Sequence, residues 1–298
     1  MEWILVSVTG RIARVGLDEA ESAMVSHNST RVDHDVVRCA IPAPSGVVGA
    51  VTSSGMAHRL SVESLPCLPP GGPWSLWDAP ETSAVLPLSD GERLVGLYSL
   101  DPEAAPLALG TVKGVVKRVV PEYKGWDSWE VITLKDDDAV IGCAHATDSD
   151  DLVFITSDAQ LLRLSARETR PQGRPAGGMA GIKLAEDATV LFFGAIPKSD
   201  RDTAIVATLA TGPDSAASVK TTAVSEYPAK GRATAGVRTQ RFLKGQDHLL
   251  LAWAGLPPVR ACDAKGAPRN LPACEDRRDG TGTKVYGPFF AFGSGTIK

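Results

Sequence analysis

What this chain lacks narrows it first. None of its apolar runs approaches the ~20 residues that a membrane-crossing helix needs. Glycine and proline, 29 and 21 of 298 residues, punctuate the chain too often for a long helix to survive. The five cysteines (Cys39, Cys67, Cys143, Cys262, Cys274) are odd in number and scattered, and none stands in a Cys-x-x-Cys pair. They read as reduced thiols of a cytoplasmic protein rather than as a disulfide framework. Met1 is followed by Glu2 and Trp3 with no basic stretch leading into an apolar core, so no signal peptide is expected. Catalytic signatures are missing as well. There is no Gly-x-Ser-x-Gly elbow and no Walker A loop. His27, His34, His58, His145 and His248 are spread widely; His34 between Asp33 and Asp35 reads as a solvated turn or strand edge rather than a metal site. Asp136-Asp137-Asp138 and Asp148-Ser149-Asp150-Asp151 lack an EF-hand pattern and read as acidic turns. No catalytic residue, cofactor site or metal site is expected.

What is present is a cassette that recurs about six times, at roughly 45–60 residues. It consists of an apolar strand, a turn with glycine or aspartate, and a second strand with a basic residue near its start. It runs Val6 to Arg14, Ala50 to Arg59, Gly110 to Arg118 and Val153 to Arg163, with looser copies at Thr208 to Lys220 and Ala264 to Arg269. Hairpins repeated at this period predict an all-β ring of radially arranged blades. A closed ring can hold the whole length as one domain, so residues 1–298 are divided into segments 1–47, 48–105, 106–150, 151–203, 204–256 and 257–298. The second carries a Pro- and Gly-rich insertion, Pro66 to Pro80. Trp77-Asp78 and Trp126-Asp127 lack the Gly-His companion of WD repeats, so these tryptophans are expected to pack on a blade.

Net charge is −4, but its distribution is uneven. Residues 1–150 carry 11 Lys and Arg against 21 Asp and Glu; residues 151–250 carry 13 against 10, and residues 251–298 carry 7 against 4. One side that binds anions and one that repels them would give such a pattern. The hairpins supply Arg14, Arg59, Lys117, Arg118, Arg163, Lys220 and Arg269. Two glycine-rich basic loops, Arg170–Lys183 and Tyr227–Arg238, repeat Gly-Arg, small residues, glycine and a further cation. They and the strands that follow supply Arg174, Lys183, Lys230, Arg232, Arg238, Arg241 and Lys244. Glycine permits close backbone approach to a phosphate, and arginine offers a planar fork to its oxygens. Each cation taken singly serves solubility equally well; the repetition points to a polyanion.

Lys113–Arg118, Ile132–Leu134, Asp151–Arg163 and Thr169–Lys183 occur in an order that resembles the C-terminal domain of the A subunit of bacterial type IIA topoisomerases. The likeness covers nearly the whole chain and is strongest from Leu107 to Trp253. Arg170–Ile182 and Lys230–Lys244 look most similar to actinobacterial topoisomerase IV. The resemblance implies a six-bladed β-pinwheel whose neighbouring blades exchange a strand. It also implies double-stranded DNA bent around a basic outer rim and presented to a cleavage core. Implied partners are the catalytic N-terminal part of the same A subunit and an ATPase B subunit, with ATP and Mg used elsewhere in the holoenzyme. The gyrase version carries Gln-Arg-Arg-Gly-Gly-Lys/Arg-Gly in its first blade, where this chain has Ser26-His27-Asn28-Ser29-Thr30-Arg31. That departure favours decatenation and relaxation over gyrase-type wrapping. The alternatives are a gyrase wrapping domain and a propeller-like module that holds a basic protein with its acidic half.

Overall fold

The hairpin turns explain the repeat. The computed structural model describes residues 2–16, 32–69, 74–120, 125–213 and 216–294. Ser7, Thr52, Thr111 and Thr156 each open a turn whose fourth residue (Gly10, Gly55, Gly114 and Ala159) has φ of +86°, +82°, +82° and +60°. That residue's N–H donates back to the opening carbonyl at 3.0–3.2 Å. The opening hydroxyl accepts an N–H four residues on, from Arg11 at 3.0 Å, Val115 at 3.0 Å and Gln160 at 3.1 Å. A turn closed by one left-handed residue in this way is a common hairpin connection. Gly55 and Gly114 are also sites of close approach: a Cβ there would lie 2.7 Å from the Ile132 carbonyl and 2.8 Å from that of Ile182.

The described residues build six antiparallel blades. Listed from the inner strand outward, blade 1 is Val37–Pro42, Glu2–Ser7 and Ile12–Gly16. Blade 2 is Leu94–Tyr98, Val47–Thr52 and Met56–Ser61. Blade 3 is Val140–His145, Leu107–Thr111 and Val115–Val119. Blade 4 is Val190–Ile196, Asp151–Thr156 and Gln160–Ser165. Blade 5 is His248–Gly255, Ile205–Thr211 and Ser218–Ala223. Blade 6 is Ala291–Ser294, Val259–Cys262 and Pro268–Arg269.

The outermost strand of each of blades 1 to 5 comes from the chain beyond the next hairpin. Cys67–Leu68 runs beside Arg14–Val15, and Ser128–Glu130 beside Met56–His58. Pro171–Gln172 and Met179–Ala180 complete blade 3, Val237–Arg238 blade 4 and Thr283–Lys284 blade 5. This strand exchange makes the ring a β-pinwheel. It also revises the expected insertion: of Pro66–Pro80, Cys67–Leu68 is the exchanged strand, and the Pro80 carbonyl takes the Ile12 N–H at 3.0 Å.

The core lies between blade faces. Ala108 and Val116 of blade 3 pack with Leu152, Phe154, Leu162 and Phe193 of blade 4. Phe154 and Phe193 meet at 4.7 Å between ring centroids, and Phe193 fills the space left by the missing side chain of Gly110. Each such side chain contributes about 1.5–3 kcal/mol on burial.

The inner strands neighbour one another in a closed circuit through blades 1 to 6 and back. Closure rests on Ser294 paired with Val37 and on the Asp35 N–H, which donates to the Gly266 carbonyl at 2.7 Å. Asp35 is buried rather than solvated, at φ +73°, and its carboxylate accepts from the Thr9 hydroxyl and from the Val36 N–H at 2.8 Å. The side chains of its expected companions Asp33 and His34 lie outside the described residues. Five inner strands bulge at one equivalent place, so Arg38, Val95, Ile141, Leu191 and Leu250 each fall out of the ladder. Among the described residues no helix is long and apolar enough to cross a membrane.

Candidate nucleic-acid interface

The hairpin cations do not form a single ladder. Strand register places Arg14, Arg59, Arg118 and Arg163 opposite Ile4, Gly49, Ala108 and Val153. His58, Lys117 and Lys220 sit one residue earlier, opposite Ala50, Leu109 and Thr208. Neighbouring residues on a strand face opposite sides of the sheet, so the two sets point to different surroundings.

The arginine set joins blades. Arg14 Nε donates to the Leu65 carbonyl at 3.0 Å, beside the 3₁₀ turn Val62–Ser64 of blade 2, and Nη1 pairs with Glu2 at 3.1 Å. Arg118 Nη1 donates to the carbonyls of Ala166 (2.9 Å) and Thr169 (3.2 Å) around the matching turn of blade 4. It also pairs with Asp148 at 2.7 Å. Arg163 Nη1 reaches the Val224 carbonyl of blade 5 at 3.4 Å, and its Nε lies 3.7 Å from Asp151. Arg59 Nε donates to the Trp126 carbonyl at 3.2 Å.

The lysine set is buried. Lys117 is fully enclosed, and its Nζ donates to the carbonyls of Val131 (2.8 Å), Arg174 (2.6 Å) and Ala176 (2.7 Å), one for each of its three N–H groups. Lys220 Nζ donates to the Thr222 hydroxyl inside blade 5. Burial pushes both amines down to about 8, opposed in part by Glu130 at Lys117 and by Glu275 at Lys220. Lys117, Arg118 and Lys220 are thereby corrected from surface cations to buried ones, because carbonyls and hydroxyls rather than solvent satisfy their charged ends. Arg269 is half-buried in blade 6, donating to the Tyr286 carbonyl at 2.5 Å and lying 5.3 Å from the Phe289 ring centroid.

The basic loops are the exchange segments themselves, which puts them at the outer edges of the blades. Gly178, Gly236 and Gly282 all take positive φ (+79°, +81°, +74°). A Cβ at these positions would meet Val116 O at 2.8 Å, Leu161 O at 2.3 Å and Val219 O at 2.6 Å. These glycines therefore serve close packing against the preceding blade, which replaces the phosphate approach expected for the loops of Gly178 and Gly236.

Successive loops also touch. Thr133 Oγ1 donates to the Pro175 carbonyl at 3.1 Å. The Lys183 N–H bonds Thr234 O at 3.0 Å and the Ala233 N–H bonds Gly181 O at 2.6 Å. The Arg241 N–H bonds Gly280 O at 3.0 Å, and Arg278 Nη1 reaches Arg238 O at 3.3 Å. The result is one band of loops across blades 2 to 5. Lys183, Lys230, Arg238 and Arg241 are exposed on it. Arg232 is half-buried with Nη1 on the Ala180 carbonyl at 2.7 Å, and Lys230 Nζ donates to Gly236 O at 3.1 Å. Arg174 lies over the exposed Trp126 ring, 4.1 Å from its centroid. Lys244 stands apart: it is exposed in the turn before an inner strand, where blades 3 and 4 carry Asp136–Asp138 and Glu186-Asp187.

Two members of the band depart from the sequence reading. Arg278 is absent from it, yet precedes Gly282 with the spacing by which Arg174 precedes Gly178 and Arg232 precedes Gly236, a third copy masked by Glu275, Asp276 and Asp279. Trp126, like Trp77, is exposed where packing on a blade is expected, and its partner Arg174 belongs to the next exchange segment.

A strand-exchanged ring with a band of basic loops along its outer edges defines a β-pinwheel. The family described as DNA gyrase C-terminal domain, beta-propeller, matches residues 150–197 and 215–251. The gyrase A subunit of Deinococcus deserti is 31% identical over 159 residues, 51% of this chain and 19% of that protein. Topoisomerase subunit TopoM of Mycolicibacterium smegmatis is 36% identical over 101 residues, 34% of this chain and 13% of that protein. The chain thus spans about a fifth or less of these relatives. The crystal structure of the C-terminal domain of DNA topoisomerase IV superposes with a TM-score of 0.73 at 19% identity, covering 98% of this chain and 92% of the other. The chain thus shares the fold of the topoisomerase IV C-terminal domain and, over residues 150–197 and 215–251, the sequence pattern of the gyrase C-terminal domain family.

Proposed function

We propose that this non-catalytic domain binds double-stranded DNA along the band of exchange loops and bends it toward the cleavage core of a topoisomerase IV-type A subunit. The single observation that carries this reading is the contact between successive loops, with cations at the outer edges of blades 3 to 5. The binding set is Arg59, Arg174, Lys183, Lys230, Arg232, Arg238, Arg241 and Arg278, with Arg269 and Lys244 at its margins. Arg14 and Arg163 act mainly between blades, and Lys117, Arg118 and Lys220 support the band from within.

Bending ~20–30 base pairs by 40–90° costs on the order of 1–6 kcal/mol, which contacts on several consecutive blades offset and one patch does not. Phosphate contacts position a duplex without reading its sequence, so little base preference is expected. A Gln-Arg-Arg-Gly-Gly-type segment is missing from residues 1–47, which supports decatenation and relaxation over gyrase-type wrapping. Work with the rest of the A subunit and an ATPase B subunit, in the cytoplasm at the nucleoid, follows from the same reading. A gel shift with linear duplex across a salt series tests it. Binding should be evident at low salt and collapse as salt rises; no shift at low salt would favour a protein-interaction module.

A further inference from the structure

The bulges on the inner strands of blades 1 to 5 each put one residue in the lining of the axial cavity, and bulges commonly re-aim a side chain beside a binding site. In blades 2 to 5 that residue is aliphatic: Val95, Ile141, Leu191 and Leu250. In blade 1 it is Arg38. Arg93, the residue before the inner strand of blade 2, lines the same space. Both residues are exposed to the water-accessible cavity, and the two guanidiniums sense each other: Arg93 is one of the causes that lower the Arg38 pKa, after crowding by the surrounding walls. Among the described residues neither has an ion pair or a side-chain hydrogen bond. The nearest carboxylate to influence Arg38, that of Asp35, is already held by Thr9 and by the Val36 N–H.

The axial cavity they face has a volume of about 680 Å³ and an aliphatic and aromatic wall that includes Leu97, Leu191, Ala252 and Phe290. Sites for small organic ligands run to roughly 300–1,000 Å³ with such walls and a few convergent polar groups. Among the described residues that line it, the opposite end carries no charged side chain. His145 lies four residues beyond Ile141, about 13 Å away at ~3.3 Å per residue. Its Nδ1 bonds the Ala105 carbonyl at 2.6 Å and its Nε2 takes the Ser99 N–H at 2.9 Å, so the ring is a neutral, fully engaged imidazole. The cavity is therefore polarised along its axis, with two uncompensated cations at one end and an apolar body below.

We infer that the axial cavity binds an amphipathic organic acid, its carboxylate between Arg38 and Arg93 and its hydrocarbon body along the aliphatic wall. Planar guanidinium forks match a carboxylate, and an anion there offsets the repulsion between two like charges that line one cavity. This site is separate from the DNA-binding band and does not depend on that reading.

Calorimetric titration of the 298-residue chain with dodecanoate tests it, with dodecanol and acetate as controls lacking the charge or the body. One dodecanoate per chain is expected, with both controls at least about tenfold weaker. The double variant Arg38→Gln/Arg93→Gln should lose about tenfold in dodecanoate affinity while keeping its circular dichroism and its DNA shift. Ala252→Phe, which fills the wall, should abolish uptake. Arg174→Glu/Arg232→Glu/Arg238→Glu, on the outer band, should bind dodecanoate as wild type does. Equal binding of dodecanol, several dodecanoates per chain, no binding at all, or full affinity in the Arg38/Arg93 variant would each overturn the assignment.

Discussion

Lys117 Nζ meets the carbonyl oxygen of Arg174 at 2.6 Å, so a cation buried in blade 3 fixes the backbone beneath a cation of the next exchange loop. The same ammonium holds Ala176 and Val131, and the Arg174 guanidinium lies over Trp126. Inner and outer charges are thus linked through one stretch of backbone.

Replacing the inner charge should disturb both levels. Lys117→Met leaves three carbonyls without their donor and is expected to cost about 2–4 kcal/mol in urea unfolding. In the folded variant Trp126 fluorescence should change, because its stacking partner is no longer anchored. Unchanged fluorescence and stability would show that the three contacts do not hold the loop.

Arg118 and Arg238 should behave as opposites. Arg118→Ala frees an exposed Asp148 but leaves the carbonyls of Ala146, Ala166 and Thr169 without their donor, so a loss of about 2–4 kcal/mol is expected by thermal or chemical unfolding. Arg238→Ala lies on an exposed site and should stay within about 0.5 kcal/mol of wild type. Its DNA affinity should nevertheless fall, with a shallower dependence on salt.

Charge reversal at Arg174, Arg232 and Arg238 together should weaken DNA binding in a low-salt gel shift without unfolding the ring. Wild-type binding by this triple variant would remove the exchange loops from the interface.

Gly236→Ala places a Cβ 2.3 Å from the Leu161 carbonyl in a left-handed conformation, and a loss on the order of 2–4 kcal/mol is expected. Gly46 has φ +71° but open space around it, so Gly46→Ala isolates the conformational part at about 1–2 kcal/mol. Equal losses by calorimetry would mean that the close approach carries no cost.

Lys220 sets a pH dependence of definite sign. Its folded pKa of about 8 lies below the ordinary lysine value, so between pH 8 and 10.5 the unfolded chain holds the extra proton. Stability from this group therefore rises across that window, by on the order of 1–3 kcal/mol. Lys220→Met should flatten the rise in urea midpoints measured from pH 7 to 10.5.

The hairpins were legible because a Ser or Thr, a turn and a left-handed residue leave a local mark at each repeat. The exchange of strands followed only from resemblance, since nothing within Met179–Ala180 says that its partner is Val115–Val116. Side-chain direction was the main loss. Lys117 and Arg118 are adjacent and equally basic in sequence, yet one reaches back to Val131 and the other forward to Ala166. Each found enough carbonyls to be buried charged, which composition does not record. Arg278 was hidden because its acidic neighbours cancel the local charge, although its spacing to Gly282 was there to be read.

The exchanged strand shifts the unit of construction away from the unit of repetition. A segment cut at its own hairpin boundaries keeps three strands, surrenders its outer edge and carries off its predecessor's. Deleting or grafting a blade along the repeat would leave two raw ladders facing solvent, each a template for another molecule. Moving the joints does not help, because the seal of one blade lies within the next: Met179–Ala180 of blade 3 falls between Gln160–Ser165 and Val190–Ile196 of blade 4.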